Sequence, residues 1–410
     1  MTKAGTNVTK DVITNGGKTY SGTEFYEKTG SSEGTNQNGY ITNWHKGEPN
    51  NGNTGNNSQK YVAVGYGQES KWDDVHNKGG VSGYIQETNL ENSALTINAG
   101  AGNVTIGGNI GNSKALSNLT INNTGDVKTG GATGYGRTKA YKGSINVATS
   151  DKTAGTVAIN SYGNVKIGGT IDAVKDIQIG IDNTKDPAAS AQVGGKMTST
   201  NGKIYILTNG DITTNGAQAP GKIFYWSDKG NISDSATLES VSSVQLDANQ
   251  GNITVNTLNQ TGTATVTGNQ HPMQIAAENG TVKATGTITG QDVNVRGGNV
   301  DLADKVTGTT NDINIEAKNG TAAVGELEAA KGLVQVLATK GESAGSIVAN
   351  GNINAGKMVN LSAGHDVTTS GTITAGTWAQ VKADNDVTVN GDVTATGETV
   401  YVNVGYEATT

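Results

Sequence analysis

From about residue 93 to the last residue, one short pattern recurs and restricts the folds open to this chain. A copy begins with a small or polar residue, commonly Gly, Asn or Asp, and continues with an aliphatic residue. A second aliphatic residue follows six positions later, and the last three copies recur at a spacing of 20 residues. The clearest copies run from Asn103-Val104 to Ile110, Asn164-Val165 to Ile171, Thr281-Val282 to Ile288, Ser346-Ile347 to Ile353, Asp366-Val367 to Ile373 and Asp386-Val387 to Val393.

Within the copies, residues alternate in character, as in Val387-Thr388-Val389 and Leu361-Ser362-Ala363. A period of two predicts strands with one face inward and one outward. Gly-Asn, Gly-Asp and Asn-Gly pairs separate the strands, as turns that need positive φ do. A repeat of this length with two or three strands predicts one coil of a parallel β-solenoid. About fifteen coils of about 20 residues would form a rod on the order of 70 Å long.

A β-sandwich or an antiparallel barrel is also built from short strands and is the alternative fold. We favour the solenoid because the copies keep a fixed period and paired hairpin signals are rare. Only residues 325–331 have a helix-forming composition, and this segment is too short to be a stable helix. The predicted class of this region is therefore all-β.

Composition excludes several classes of protein and of partner. The chain of 410 residues has 60 glycines, 33% hydrophobic residues and a net charge of −7. Low charge argues against disorder, and the absence of a basic cluster argues against nucleic-acid binding. The chain has no cysteine for disulfides, no apolar run long enough to span a membrane and no signal peptide. We interpret it as a fragment of a larger protein.

Two tracts carry a resemblance to a known family. The segments 116–127 and 163–171 resemble the repeats of filamentous haemagglutinin-type exoproteins, and the similarity extends over roughly residues 93–410. Those proteins are bacterial surface adhesins exported by two-partner secretion. The resemblance implies a right-handed parallel β-helix stalk and a secreted or cell-surface location. The passenger of an autotransporter is an alternative.

Residues 41–51 and 71–75 have a different character, with tryptophan, proline, asparagine and acidic residues close together. They resemble the calcium- and sugar-binding half of a C-type lectin-like domain. Glu48-Pro49-Asn50 matches that family's EPN tripeptide, and Trp72-Asp73-Asp74 matches its WND motif with Asp in place of Asn. We therefore divide the chain into a partial C-type lectin-like α+β module, residues 1–92, and a parallel β-helix stalk, residues 93–410.

Calcium takes six to eight oxygen ligands, which carboxylates and carboxamides supply. The resemblance implies that open positions on the ion bind vicinal sugar hydroxyls, with selectivity for mannose-, glucose- or GlcNAc-type sugars. The predicted ligands of Ca²⁺ are Glu48, Asn50, Gln59, Asp73 and Asp74. The predicted carbohydrate-binding residues are Glu48, Asn50, Asp73, His45 and His76.

The N-terminal region departs from the lectin family in three respects. Gln59 stands where an acidic residue is usual, so one negative charge is lost from the site. The family's disulfides are absent. Its N-terminal half with two helices is missing, because residues 1–18 are too few to form it. A reduced, non-binding insertion is therefore the alternative to a functional module.

Other groups are weaker candidates for a site. The carboxylate pairs Asp384/Asp386, Asp301/Asp304 and Glu326/Glu328 lack the partners of a catalytic set, and we interpret them as turn or surface residues. For residues 224–226 (Phe-Tyr-Trp), we expect a packed bulge or capping loop rather than a carbohydrate platform.

The sequence thus predicts a non-catalytic fragment of a bacterial adhesin that binds glycans on a host or neighbouring cell and can self-associate along the rod. The first alternative is a purely structural extracellular filament with a non-binding lectin-like insertion. The second is a β-helix enzyme that degrades polysaccharides, for which the sequence offers no catalytic set.

Overall fold

The computed structural model describes the short strands within residues 12–75 and most of residues 94–405. The described ranges of the second part are 94–106, 108–111, 115–123, 126–129, 145–147, 155–180, 187–263, 271–338 and 345–405. Every regular element within the described residues is a β-strand. None of these residues belongs to a helix long and apolar enough to cross a membrane.

Among the described residues, six strands precede residue 90 and form three antiparallel pairs. Their pairing is β1 with β2, β3 with β4 and β5 with β6. The strands are β1 (Val12–Asn15), β2 (Lys18–Ser21), β3 (Tyr26–Glu27), β4 (Thr35–Asn36), β5 (Tyr61–Val64) and β6 (Trp72–Val75).

All later strands belong to one sheet system in which every pairing is parallel. The first of these strands are β7 (Ala94–Gly100), β8 (Val104–Ile106), β9 (Asn118–Asn123), β10 (Val127–Thr129), β11 (Ile145–Val147), β12 (Thr156–Ser161), β13 (Asn164–Ile167), β14 (Ile171–Ala173), β15 (Ile177–Ile179), β16 (Ser190–Val193), β17 (Met197–Ser199), β18 (Ile204–Thr208), β19 (Ile212–Thr214), β20 (Ala217–Ala219), β21 (Ile223–Ser227), β22 (Ile232–Ser240), β23 (Val244–Ala248) and β24 (Ile253–Gln260). The remaining strands are β25 (Met273–Ala284), β26 (Ile288–Gly290), β27 (Val293–Leu302), β28 (Val306–Gly308), β29 (Ile313–Ala317), β30 (Ala322–Val324), β31 (Leu327–Ala329), β32 (Val334–Ala338), β33 (Ile347–Ala349), β34 (Ile353–Ala355), β35 (Val359–Ala363), β36 (Val367–Thr369), β37 (Ile373–Ala375), β38 (Ala379–Ala383), β39 (Val387–Val389), β40 (Val393–Ala395) and β41 (Val400–Val404).

The parallel strands stack into three faces, because each strand pairs with its equivalents in the preceding and following coils. Face 1 contains β7, β9, β12, β15, β18, β21, β23, the first parts of β25 and β27, β29, β32, β35, β38 and β41. Face 2 contains β8, β10, β13, β16, β19, the first parts of β22 and β24, the last parts of β25 and β27, β30, β33, β36 and β39. Face 3 contains β11, β14, β17, β20, the last parts of β22 and β24, β26, β28, β31, β34, β37 and β40.

The predicted solenoid is confirmed, and the repeat has a structural meaning. In the last three copies the first aliphatic residue starts a face 2 strand and the second starts a face 3 strand, as Val367 and Ile373 do. Ile347, Val367 and Val387 lie directly opposite one another in successive coils. The handedness of the coil remains a prediction from the resemblance.

The solenoid has about 12 turns of about 21 residues rather than about fifteen turns. The difference arises because some coils carry insertions. Asn160 lies above Asn122 across 38 residues, and Lys203 lies above Asp176 across 27. Regular coils such as those of Val367 and Val387 keep the spacing of 20 residues.

The core is a single aliphatic column inside the three faces. Alternate residues point inward, so a strand such as β32 buries Val334, Val336 and Ala338 and leaves Gln335 and Leu337 partly exposed. Most strands bury only two or three apolar side chains, which is why a hydrophobic content of 33% suffices for this fold.

Asparagine and aspartate side chains form what we call the Asx ladder at the corner before face 2. Each accepts a hydrogen bond from a backbone N–H of the next coil at 2.8–3.0 Å, or from the Ser190 hydroxyl in the case of Asn164. These bonds satisfy N–H groups that the strand ladders do not use. The members are Asn103, Asp126, Asn164, Asp211, Asn231, Asn252 and Asn299.

The adjacent turn admits only glycine in several coils. A Cβ at Gly251 would lie 2.0 Å from the Gly230 carbonyl oxygen, and a Cβ at Gly280 would lie 2.1 Å from the Gly251 oxygen. Here glycine is needed for close approach of successive coils.

The expectation for residues 224–226 is wrong. Phe224, Tyr225 and Trp226 belong to the regular strand β21, in continuous register with β18 before it and β23 after it. Tyr225 points into the core and is fully buried, whereas Phe224 and Trp226 lie on the outer side. The same strand periodicity that governs the aliphatic residues therefore accommodates three consecutive aromatic residues without a bulge.

Candidate functional site

The residues predicted to bind calcium and sugar fall largely outside the described residues. Asp73 and Asp74 lie on β6, paired with Ala63 and Val62 of β5. β5 and β6 are antiparallel, with Tyr61 opposite Val75 and Val64 opposite Trp72. The other predicted residues, His45, Glu48, Asn50, Gln59 and His76, lie outside the described residues.

On the solenoid, the most distinctive surface is on face 1, where two successive coils place large apolar side chains outward. Tyr205 lies opposite Phe224, and Leu207 lies opposite Trp226. All four are partly exposed. We call these four residues the aromatic ledge.

The Phe224 ring is held from two sides. The Tyr205 ring meets it edge to face, with centroids 5.9 Å apart and an interplanar angle of 75°. The Lys222 ammonium lies 4.5 Å from the ring centroid, within the range of a cation–π interaction. These contacts fix the ring orientation at the surface.

A polar network lies beside the aromatic ledge and extends from Lys222, just before β21, into the following coils. The Lys222 ammonium donates to the side-chain oxygen Oε1 of Gln245, and the side-chain N–H of Gln245 donates to Asp247 Oδ2 at 2.6 Å. The Gln274 amide donates to Asp247 Oδ1 at 3.4 Å. Trp226 is directly opposite Asp247 in the strand register. The network therefore joins three coils along the edge of the aromatic ledge.

Burial influences both charged groups of this network. It lowers the pKa of the Lys222 ammonium, with Asp247 acting in the opposite direction. It raises the pKa of the Asp247 carboxyl, which hydrogen bonds from Gln245 and the charge of Lys222 partly offset. The two charges are thus partly withdrawn from solvent and neutralise each other.

The same outward column continues as a row of carboxamides, which we call the amide ladder. Successive members lie opposite one another in the strand register, and each is partly exposed. The side-chain oxygens of Asn294 and Asn360 are buried without a hydrogen-bond partner. The members are Gln245, Gln274, Asn294, Asn314, Gln335, Asn360 and Gln380.

A histidine–aspartate pair occupies another corner of the solenoid. His271 Nδ1 lies 2.5 Å from Asp292 Oδ1, with side-chain exposures of 23% and 8%. Burial raises the pKa of the Asp292 carboxyl, and the hydrogen bond with His271 opposes this effect. The pair ties two consecutive coils together.

The acidic residues weighed in the sequence also make contacts between coils. Glu326 and Glu328 both bind the Lys305 ammonium, and Asp301 binds Lys283 at 3.0 Å. Within the described residues, no group of three or more His, Asp or Glu side chains is arranged to hold a metal ion.

Neither a family model, nor a curated protein, nor a solved structure matches this sequence. The fold assignment therefore rests on the strand register and the buried core. The solenoid is of the kind expected for a filamentous haemagglutinin-type stalk.

Sequence reasoning missed the aromatic ledge. The signal was present, because Tyr205 and Phe224 occupy the same position of successive repeats, each directly after the isoleucine that starts a face 1 strand. Aligning the repeats on that isoleucine would have shown two outward aromatic positions side by side. The clustering of Phe224 and Trp226 on one side follows from strand alternation alone.

Proposed function

We propose that this chain is a stalk segment of a secreted or cell-surface bacterial adhesin. The observation that carries the proposal is the parallel pairing that joins the described strands from β7 to β41 around one aliphatic core. A solenoid of this kind is a stiff spacer, because each coil is fixed by its two neighbours. About 12 turns give a rod on the order of 60 Å long.

The finer proposal is that residues 1–92 add calcium-assisted recognition of hexose-type glycans. It is supported by the tripeptide Glu48-Pro49-Asn50 and by Asp73 and Asp74. Carboxylate and carboxamide oxygens are the ligands that calcium prefers, and an ion with open positions can bind vicinal hydroxyls. The partners would then be glycans on a host or neighbouring cell.

The test is a calorimetric calcium titration of the whole chain and of an Asp74→Ala variant. We expect binding by the parent and a loss of at least about tenfold in affinity in the variant, since one ionic ligand is removed. The matched control is Asp392→Ala, which removes an exposed aspartate in a distant coil and should leave the titration unchanged. Absence of a calcium response in the parent would contradict the finer proposal.

The second candidate is a purely structural filament, in which the N-terminal module binds no ligand. The specific observation that favours it is the exposed apolar side of the last described strand, β41, where Val400, Val402 and Val404 are 38–57% exposed. Such an edge favours addition of a further coil or a second rod. This candidate predicts no calcium response together with association of the rods.

A further inference from the structure

We propose that the aromatic ledge is a binding site for a neutral saccharide chain on the stalk itself, separate from the N-terminal module. The aromatic ledge is a local departure from the pattern of face 1. In the seven coils that carry the amide ladder, the column that holds Tyr205 and Phe224 is occupied by Gln or Asn. Outward aromatic residues contribute nothing to the aliphatic core and leave part of their apolar surface in water, which makes a cluster of them a candidate interaction site.

The dimensions of the aromatic ledge fit one sugar ring. Outward residues two positions apart on a strand are about 7 Å apart, and neighbouring coils are about 4.8 Å apart. The Lys222 ammonium covers one face of the Phe224 ring, and the Tyr205 ring stands at 75° to it. Tyr205, Phe224 and Trp226 thus form a stepped apolar surface rather than a flat one, with an extent of about one pyranose ring. The C–H face of such a ring packs on aromatic side chains, while its hydroxyls remain at the rim.

The polar network supplies partners for those hydroxyls. Asp247 uses its two oxygens for Gln245 and Gln274, and a carboxylate has further lone pairs that accept from hydroxyl groups. Carboxamides both donate and accept, as hydroxyls do. A few convergent polar groups beside an apolar platform are the usual composition of a small-molecule site.

The charges favour a neutral ligand. Lys222 and Asp247 lie on either side of Gln245 and have opposite sign, so the site has no excess charge to attract a polyanion. Burial already disfavours the charged form of both groups, so a ligand that brings an unpaired charge would add to the desolvation cost. We therefore prefer neutral glycans to acidic ones.

The amide ladder indicates the direction in which a bound saccharide chain would run. It begins at Gln245, beside the aromatic ledge, and continues at one carboxamide per coil to Gln380. Sugar residues of an extended β-linked glycan repeat at a spacing close to that of the coils. A chain anchored on the aromatic ledge can therefore run along the rod with one amide contact per sugar.

The experiment is a calorimetric titration of the whole chain with cellohexaose and chitohexaose, with oligogalacturonate as the acidic comparison. We expect binding of at least one neutral hexasaccharide. Trp226→Ala should weaken it by about tenfold or more, since removal of an aromatic anchor from a binding site typically costs that much. Trp378→Ala removes a tryptophan outside the aromatic ledge and should leave the affinity unchanged.

Asp247→Asn keeps the size of the side chain and replaces one acceptor oxygen with a donor, so it tests the carboxylate as an acceptor. We expect weaker binding of the neutral sugar with an unchanged circular dichroism spectrum. Binding must persist in EDTA and in Asp74→Ala, which distinguishes this site from the N-terminal one. Four outcomes would overturn the proposal: no binding of either neutral probe, binding of only the acidic probe, affinity unaffected by Trp226→Ala, or complete loss in EDTA.

Discussion

At the scale of single residues, Tyr225 is the exception in a core of aliphatic side chains. It is fully buried, and its hydroxyl makes no hydrogen bond, because the nearby Thr214 hydroxyl donates to the Asp234 carboxylate instead. Burial raises the pKa of Tyr225 well above that of a free tyrosine, the charge of Asp234 acts in the same direction, and Thr214 acts in the opposite one. The phenol ring fills the core, but its hydroxyl has lost its contact with water without gaining a hydrogen bond in return.

Tyr225→Phe should therefore raise the free energy of unfolding by about 1 kcal/mol, because it removes an unpaired buried hydroxyl and keeps the ring. The difference in free energy of unfolding between the Tyr225→Phe variant and the parent should grow at high pH. Since the pKa is raised in the folded state, stability from neutral Tyr225 is complete below about pH 10 and is lost as the pH rises above it. Urea unfolding of both proteins between neutral pH and alkaline pH measures this.

The control is Tyr401→Phe, which removes the hydroxyl of a tyrosine that is 50% exposed. Its free energy of unfolding at neutral pH should stay within about 0.5 kcal/mol of the parent. A clear loss of stability in Tyr225→Phe at neutral pH would mean that the buried hydroxyl makes a favourable contact.

At the scale of elements, the Asx ladder determines how one coil registers on the next. The Asn252 side chain accepts from the Thr281 backbone N–H at 2.8 Å, and the Asn252 backbone N–H donates to Asn231 Oδ1 at 2.9 Å. Each member thus serves both neighbouring coils. Because these bonds lie at corners, they specify where a strand begins rather than how strongly it pairs.

Asn252→Ala should lower the free energy of unfolding by about 1 kcal/mol, because the Thr281 N–H loses its protein partner and water replaces it only in part. The matched control is Gln250→Ala, two residues earlier and exposed, which should be neutral. Chemical unfolding followed by circular dichroism compares the two. If the two variants had the same free energy of unfolding, the prediction that the Asx ladder stabilises the fold would be wrong.

At the scale of the whole molecule, the last described coil differs from the coils before it in how well its apolar residues are covered. In β38, Ala379, Val381 and Ala383 are fully buried, and β41 lies directly over them. The equivalent residues Val400 and Val402 of β41 are 38% and 48% exposed. Within the described residues, no further strand pairs with β41.

We expect the 410-residue chain to associate in a concentration-dependent manner through this edge, as predicted for self-association along the rod. Val402→Lys should reduce the association, because an inward-facing charge blocks addition of a strand. Asn403→Lys adds the same charge on the outer side of the same strand and should leave the association largely intact. Sedimentation velocity over a range of concentrations measures the effect, and a parent that stays monomeric throughout would contradict it.

Much of the strand pattern and of its stacking could be predicted from the sequence. A corner of the solenoid lies between Val367 and Ile373, which start a face 2 and a face 3 strand. The spacing of 20 residues predicts correctly that Ile347, Val367 and Val387 stack in successive coils. The number of turns was overestimated because insertions such as the 38-residue interval between Asn122 and Asn160 interrupt the period. The local structure predicted for residues 224–226, a bulge or capping loop, was wrong because their aromatic side chains were not aligned with the repeat.

The sequence by itself determined the class of fold, since strict alternation and glycine-containing turns at a fixed period leave few arrangements other than stacked coils. It also named Asp73 and Asp74 as candidate ligands, a prediction that the calcium titration will test. Only the tertiary structure brought Tyr205, Phe224 and Asp247 onto one surface. The physical reason is that residues about 20 positions apart become neighbours only once the register between coils is fixed, and insertions make that register unreadable from local sequence.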